Sequence, residues 1–196
     1  LEFVNDTYFQ VTDGFVSEDL GKLQKAVTGL RRERMELKQT RRKEMLGLRR
    51  IDPDVAIEKN TWFHLGINSC EDMLYSLRRI CDPCEEHIDN SFVPLDKERV
   101  KEFLPLRDTL LYLLKRIGGV ISAGDFTDVQ KLNEQCDAFK HCLSQTRDEQ
   151  MARMQAGREN ITVSYVYLNI LQETQEMASS LKHMLRAARH FSEGRA

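Results

Sequence analysis

The sequence predicts an all-α protein, an antiparallel bundle of about five long helices. Three observations lead there. Apolar residues recur at alternating steps of three and four along separate segments, which gathers them on one face of a helix. Alternation of period two is confined to Phe3–Val11, too short a stretch to found a sheet. The 196 residues include only four prolines and ten glycines, with 31% charged and 41% apolar side chains. That mix suits a helix-rich chain long enough to bury a substantial core.

Residues 1–16, which open LEFVNDTYFQVTDGF, read as an irregular connecting segment, and residues 17–196 as a single helical-bundle domain. In the first helical segment Ser17 is placed as N-cap, with Glu18 and Asp19 in the first turn. Leu20, Leu23, Val27, Leu30 and Leu37 follow, and the rhythm weakens towards Arg50. Asp52 with Pro53 starts the second segment, because proline at the first helical position loses no needed hydrogen bond. Phe63, Ile67, Cys70, Leu74, Leu77, Cys81 and Cys84 form an unbroken stripe along it. Pro83 is expected to kink or end this helix, with NSFVPL as a turn. Asp96 caps a third segment carrying Leu104, Leu110, Leu111, Leu114 and Ile117, with a kink expected at Pro105 and an end at Gly118 and Gly119. Asp125 is expected to cap the fourth, whose seam is Phe126, Val129, Leu132, Cys136, Phe139 and Leu143. Gly157 allows a break before the last, where Val166, Ile170, Met177, Leu181, Met184, Leu185, Ala188 and Phe191 share a face.

Composition narrows the function classes. Basic and acidic residues number 29 and 31, so the overall charge does not point to nucleic acid. Leu110–Leu114 is the longest apolar run, far short of a spanning helix. Five cysteines, an odd number without a signal-like leader, favour a reducing cytosol over a disulfide framework. A start at Leu1 rather than methionine suggests a piece of a larger protein. Phosphate loops, nucleophile elbows and kinase signatures are missing, so the enzyme reading has no positive support.

Four constellations could carry chemistry. Cys81-x-x-Cys84 followed by His87 resembles a metal or redox motif, but a structural zinc site takes four ligands, usually as two pairs. A redox pair sits at a helix N-terminus, where the dipole lowers a thiol pKa, and these cysteines lie near a C-terminus. Packing as small core residues accounts for Cys70, Cys81, Cys84 and Cys136 together. Glu85 and Asp89, four apart, face the same way on a helix and could share a cation, although Asp54/Glu58 and Glu98/Glu102 have the same spacing. A di-iron bundle needs Glu-x-x-His on two helices, and no histidine here has glutamate three residues before it. Finally, RRERMELKQTRRKEMLGLRR holds nine basic residues against three glutamates. Arg31, Arg32, Arg34, Arg41, Arg42 and Lys43 are its candidate contacts to an anion or a membrane surface, with no interleaved aromatic for stacking bases. Arg34 and Arg41 fall at seam positions, so this part of the helix is expected to project beyond the core.

Two stretches carry a resemblance. CDPCEEHIDNSFVPL, between two helices, resembles a segment in the cytosolic tails of bacterial PiT-type inorganic phosphate transporters of the Bacteroidetes type. YLNILQETQEMASSLKHMLRAARHF is similar to the last helix of the same tail, and NDTYFQVTD to the stretch that follows the membrane part. The more specific positions are Cys84, His87, Asp89, Asn90, Leu168, Asn169, Leu171, Glu173 and Thr174. The resemblance implies a PhoU-like helical domain, non-catalytic, at the cytoplasmic face of the inner membrane. Its partners would be the transmembrane phosphate permease portion of the same polypeptide and a regulatory protein, with no nucleic acid. PhoU proteins often hold metal clusters through repeated Glu/Asp-x-x-x-Asp motifs. Glu85 and Asp89 match one motif, while Asn169-x-x-x-Glu173 departs from the second, leaving room for a single divalent or iron-type metal ion rather than a cluster. The alternatives are a stand-alone helical adaptor, which expects exposed apolar surface and a homodimer, and a metal-dependent enzyme, whose ligand sets are incomplete.

Overall fold

The computed structural model describes residues 1–48 and 53–193, with side chains for 1–43 and 59–193. The described residues form six α-helices and no strand: α1 Glu2–Val16, α2 Leu20–Leu48, α3 Pro53–Asp89, α4 Lys97–Ala123, α5 Val129–Gln155 and α6 Ile161–Glu193. The two longest, α3 and α6, pack along each other as a spine. α2 lies on the outer side of α3 and α5 on that of α6. α1 and α4 cover one face of this row, α1 against α2 and α3, α4 against α5 and α6, and the two touch each other.

The spine pair runs in opposite senses, as do α2 with α3 and α1 with α4. Trp62 stacks on His190 while Arg79 meets Glu173, so α3 and α6 are antiparallel. Arg34 meets Tyr75 and Cys81 donates to the Leu23 carbonyl, which does the same for α2 and α3. Asn5 donates to the Leu111 carbonyl while Arg107 lies over Phe9, giving the same sense to α1 and α4. The core follows the predicted seams: Leu74, Leu77, Cys81 and Cys84 of α3 are buried, as are Leu132, Cys136, Phe139 and Leu143 of α5 and Ile170, Met177, Leu181 and Leu185 of α6.

The opening segment is not irregular. Residues 2–16 are α1, the sixth helix, and the bundle begins there rather than at residue 17. Val4, Tyr8, Val11 and Phe15 are buried at steps of four, three and four, a helical spacing that the local alternation around them obscures. Its two threonines, three valines and glycine favour a helix weakly, and burial overrides that preference. Thr12 Oγ1 donates back to the Tyr8 carbonyl at 2.7 Å, which satisfies a buried hydroxyl without leaving the helix. Gly14 lets the start of α2 pass close: a Cβ there would lie 3.1 Å from that of Lys22.

Several boundaries move. Ser17 ends α1 instead of starting α2, and Asp19 accepts from the Lys22 amide at 3.1 Å. α3 begins at Pro53 as expected, while Asp52, Arg49, Arg50 and the Asp54/Glu58 side chains lie outside the described set. Pro83 does not end α3, which runs on to Asp89. A proline removes the bond to the carbonyl four residues earlier, here that of Arg79. Asn169 Nδ2 of α6 donates to that oxygen at 2.7 Å and takes the missing amide's place.

Asp96 caps α4 as expected, accepting from the Glu98 and Arg99 amides. Pro105 sits inside the helix, and Gly118 and Gly119 are crossed, because the left-handed position is Gly124, with φ 66°. Asp125 binds Thr127 in the turn before α5, whose first residue is Val129. Gly157, at φ 67°, opens the break before α6, and Asn160 caps that helix through the Thr162 and Val163 amides.

Candidate functional site

The end of α3 is built as a junction. His87 is 2% exposed, with its ring against Phe15 and Phe92. Its Nε2 lies 2.9 Å from the Val93 carbonyl, an acceptor only, so Nε2 carries the proton. His87 therefore ties the turn after α3 back to the helix. Nδ1 is buried with no hydrogen-bond partner among the described residues. Asn90 Nδ2 donates to the Glu86 carbonyl, closing the last turn, and Ser91 takes a positive φ of 53°.

Glu85 and Asp89 sit one turn apart on the outer side of this junction, Glu85 half-buried and Asp89 exposed. Among the described residues no third His, Cys, Asp or Glu joins them in a group able to hold a metal ion. The second motif is engaged elsewhere. Glu173, 6% exposed, accepts from Arg79 Nε at 2.7 Å and Nη2 at 2.8 Å, a two-pronged grip of α3 on α6. Asn169 donates to the Arg79 carbonyl, so one residue of α3 is held at both backbone and side chain. Thr174 donates to the Ile170 carbonyl and so accepts from buried Tyr8, which links α1 to α6. Burial raises the Tyr8 phenol well above its ordinary value.

The seam cysteines are packing residues. Cys81, Cys84 and Cys136 are buried, Cys70 is half-buried and Cys142 is exposed, all as free thiols. Burial pushes the Cys70 and Cys136 thiols up to about 11 and Cys81 to about 12, and raises Cys84 too. They are protonated at neutral pH, the opposite of a thiolate nucleophile.

The basic residues of α2 divide in two. Arg31, Arg32, Arg42 and Lys43 are exposed, Arg32 lying 3.6 Å from Glu36. Arg34 and Arg41 are half-buried against α3: α2 does run past the end of the apolar core, but alongside α3. The Arg34 guanidinium lies over the Tyr75 ring at 4.4 Å, and Arg41 reaches Glu71 at 3.5 Å. Periodicity places the two arginines but cannot name their α3 partners, since helix register is invisible in a single sequence.

A cleft of about 890 Å³ opens at the other end of the spine. Trp62, Phe63, Ile67, Phe126, Met184 and Phe191 line it, from α3, the α4–α5 turn and α6. Five of these belong to predicted seams, yet here they are only half-buried.

Comparison with known protein families, curated proteins and solved structures finds no match for this chain.

Proposed function

We propose that this chain is a non-catalytic cytosolic domain of a bacterial inorganic phosphate transporter, a sodium/phosphate symporter, acting in transport or its regulation from the cytoplasmic face of the inner membrane. One observation carries the reading: the likeness to such tails is concentrated in the end of α3 and in α6. There Asn169 serves the turn that Pro83 breaks and Glu173 holds Arg79 of α3, which gives these two positions of the likeness a common physical task. An antiparallel helical bundle is compatible with a PhoU-like domain, and no described helix is long and apolar enough to cross a membrane.

In this reading the domain docks beneath the permease portion of the same polypeptide, with the basic side of α2 towards it or the headgroups, and a regulatory protein reads the docked state. An ionic ligand that binds one state better shifts the equilibrium by its differential affinity. Glu85 and Asp89 would offer a single divalent or iron-type ion two carboxylates. The test is deletion of this segment from the full transporter, with phosphate uptake followed in phosphate-rich and phosphate-starved cells. Altered uptake, or lost response to phosphate, is expected; wild-type behaviour in both conditions sinks the reading.

A stand-alone adaptor that pairs with a second copy of itself is the alternative, favoured by the half-buried apolar side chains around the large cleft. Sedimentation velocity separates the two. A concentration-dependent dimer abolished by Phe126→Asp supports the adaptor, and a monomer at all concentrations removes it.

A further inference from the structure

Just past the apolar core, α2 and α3 face each other across a hollow of about 240 Å³. Arg34, Lys38 and Arg41 lie at i, i+4 and i+7 on one side of α2, with Leu37 between them and Glu71 and Tyr75 opposite on α3. Three like charges on one helix face repel each other, and a single carboxylate balances only one of them. Arg41 approaches that carboxylate at 3.5 Å, the long end of an ion pair. Lys38 is exposed and has no partner among the described residues.

Arg34 Nη2 donates to Tyr75 Oη at 2.8 Å. The phenolic proton is therefore free to turn towards the hollow, and the guanidinium keeps its other N–H donors. The result is a ring of donors with a net charge of two positive units. Arg31, Arg42 and Lys43, exposed on the same helix, add to the local potential, while Glu33 and Glu36 subtract from it.

We propose that this hollow is a binding site for a phosphate-class dianion, either free inorganic phosphate or a phosphomonoester headgroup. Charge is matched: two negative units meet a net of two positive ones. Guanidinium forks suit the geometry of phosphate oxygens, and Lys38 supplies a movable point charge. The volume falls below the ~300–1,000 Å³ of sites for larger organic ligands, which fits a small anion. The Tyr75 face is already occupied by Arg34, so a stacked nucleobase has no platform. The site rests on the charges of α2 and α3 and does not need the transporter reading: binding is measured on the purified chain, uptake on the full transporter, and the two can fail separately.

The experiment titrates the purified chain with inorganic phosphate by calorimetry at constant ionic strength. In parallel, the chain is sedimented with phosphatidylcholine vesicles containing phosphatidic acid or, at equal charge, phosphatidylserine. Saturable binding of phosphate identifies the free ion as the source. Binding to phosphatidic acid vesicles well above phosphatidylserine vesicles identifies the headgroup. In either case Lys38→Gln and Arg34→Gln weaken binding about tenfold, the scale of a lost charge-assisted hydrogen bond. Glu71→Gln strengthens it, because it removes the competing carboxylate. Arg158→Gln, on the far side of the bundle, changes nothing, and circular dichroism confirms that each variant is folded. The proposal is overturned by no binding in either arm, by equal binding to both anionic vesicles without saturation by phosphate, or by affinity indifferent to Lys38→Gln and Glu71→Gln.

Discussion

The two halves of α3 obey the same apolar rhythm and end in different places. From Met73 to Cys84 its inner face is sealed by α1, α2 and α6, whereas from Trp62 to Cys70 the same stripe borders an open cleft. The difference lies in what covers the stripe. α1 has 15 residues, about 22 Å, against 37 in α3, about 55 Å, so α1 can roof only part of it. Periodicity therefore states which side chains want cover, and the lengths of the neighbours decide which receive it. Polar locks cluster in the sealed half as well: Arg79 with Glu173, Asn169 with the Arg79 carbonyl, and Tyr8 with Thr174.

Truncation at equivalent stripe positions breaks the comparison most directly. Leu77→Ala, in the sealed half, is expected to cost about 2–5 kcal/mol in urea unfolding. Ile67→Ala, beside the cleft, should cost about 1 kcal/mol, because much of that side chain already meets water. Equal losses would show that the cleft is closed in solution.

The next effect concerns the polar lock. Asn169→Ala strands the Arg79 carbonyl and is expected to cost about 1–3 kcal/mol. Pro83→Ala restores an amide to the same oxygen, so in that background Asn169→Ala should cost less than about half as much. Additive losses in the double-mutant cycle would deny that the two residues share one carbonyl.

The smallest effect is a slope. Burial raises the Cys81 thiol to about 12 from an ordinary 9.0, so the folded chain holds this proton more tightly than the unfolded one. That stability is present below pH 9 and is lost as pH rises from 9 towards 12. Unfolding midpoints should fall over that range, and Cys81→Ala should flatten the fall.

Most of the fold was legible because seams need only spacing. The inner faces of α5 and α6, the Asp96 cap and the Gly157 break follow from local chemistry. α1 was missed because its weakly helical residues are held by partners far along the chain, as Tyr8 is by Thr174. The end expected at Pro83 fails for the same reason: the group that satisfies the broken turn stands on another helix. At the candidate sites, Glu85, Asp89 and the arginines were visible as residue types. Lys38, Glu71 and Tyr75 become neighbours only once the register of α2 on α3 is set.

The bond from Asn169 to Arg79 spans 90 residues of chain. During synthesis α3 is complete long before α6 exists, and until then the turn at Pro83 has a carbonyl with no protein donor. The final turns of α3 thus mature last, together with α6, although they are made early. Pulse-labelled hydrogen exchange would see their amides gain protection in step with α6 rather than with the rest of their own helix.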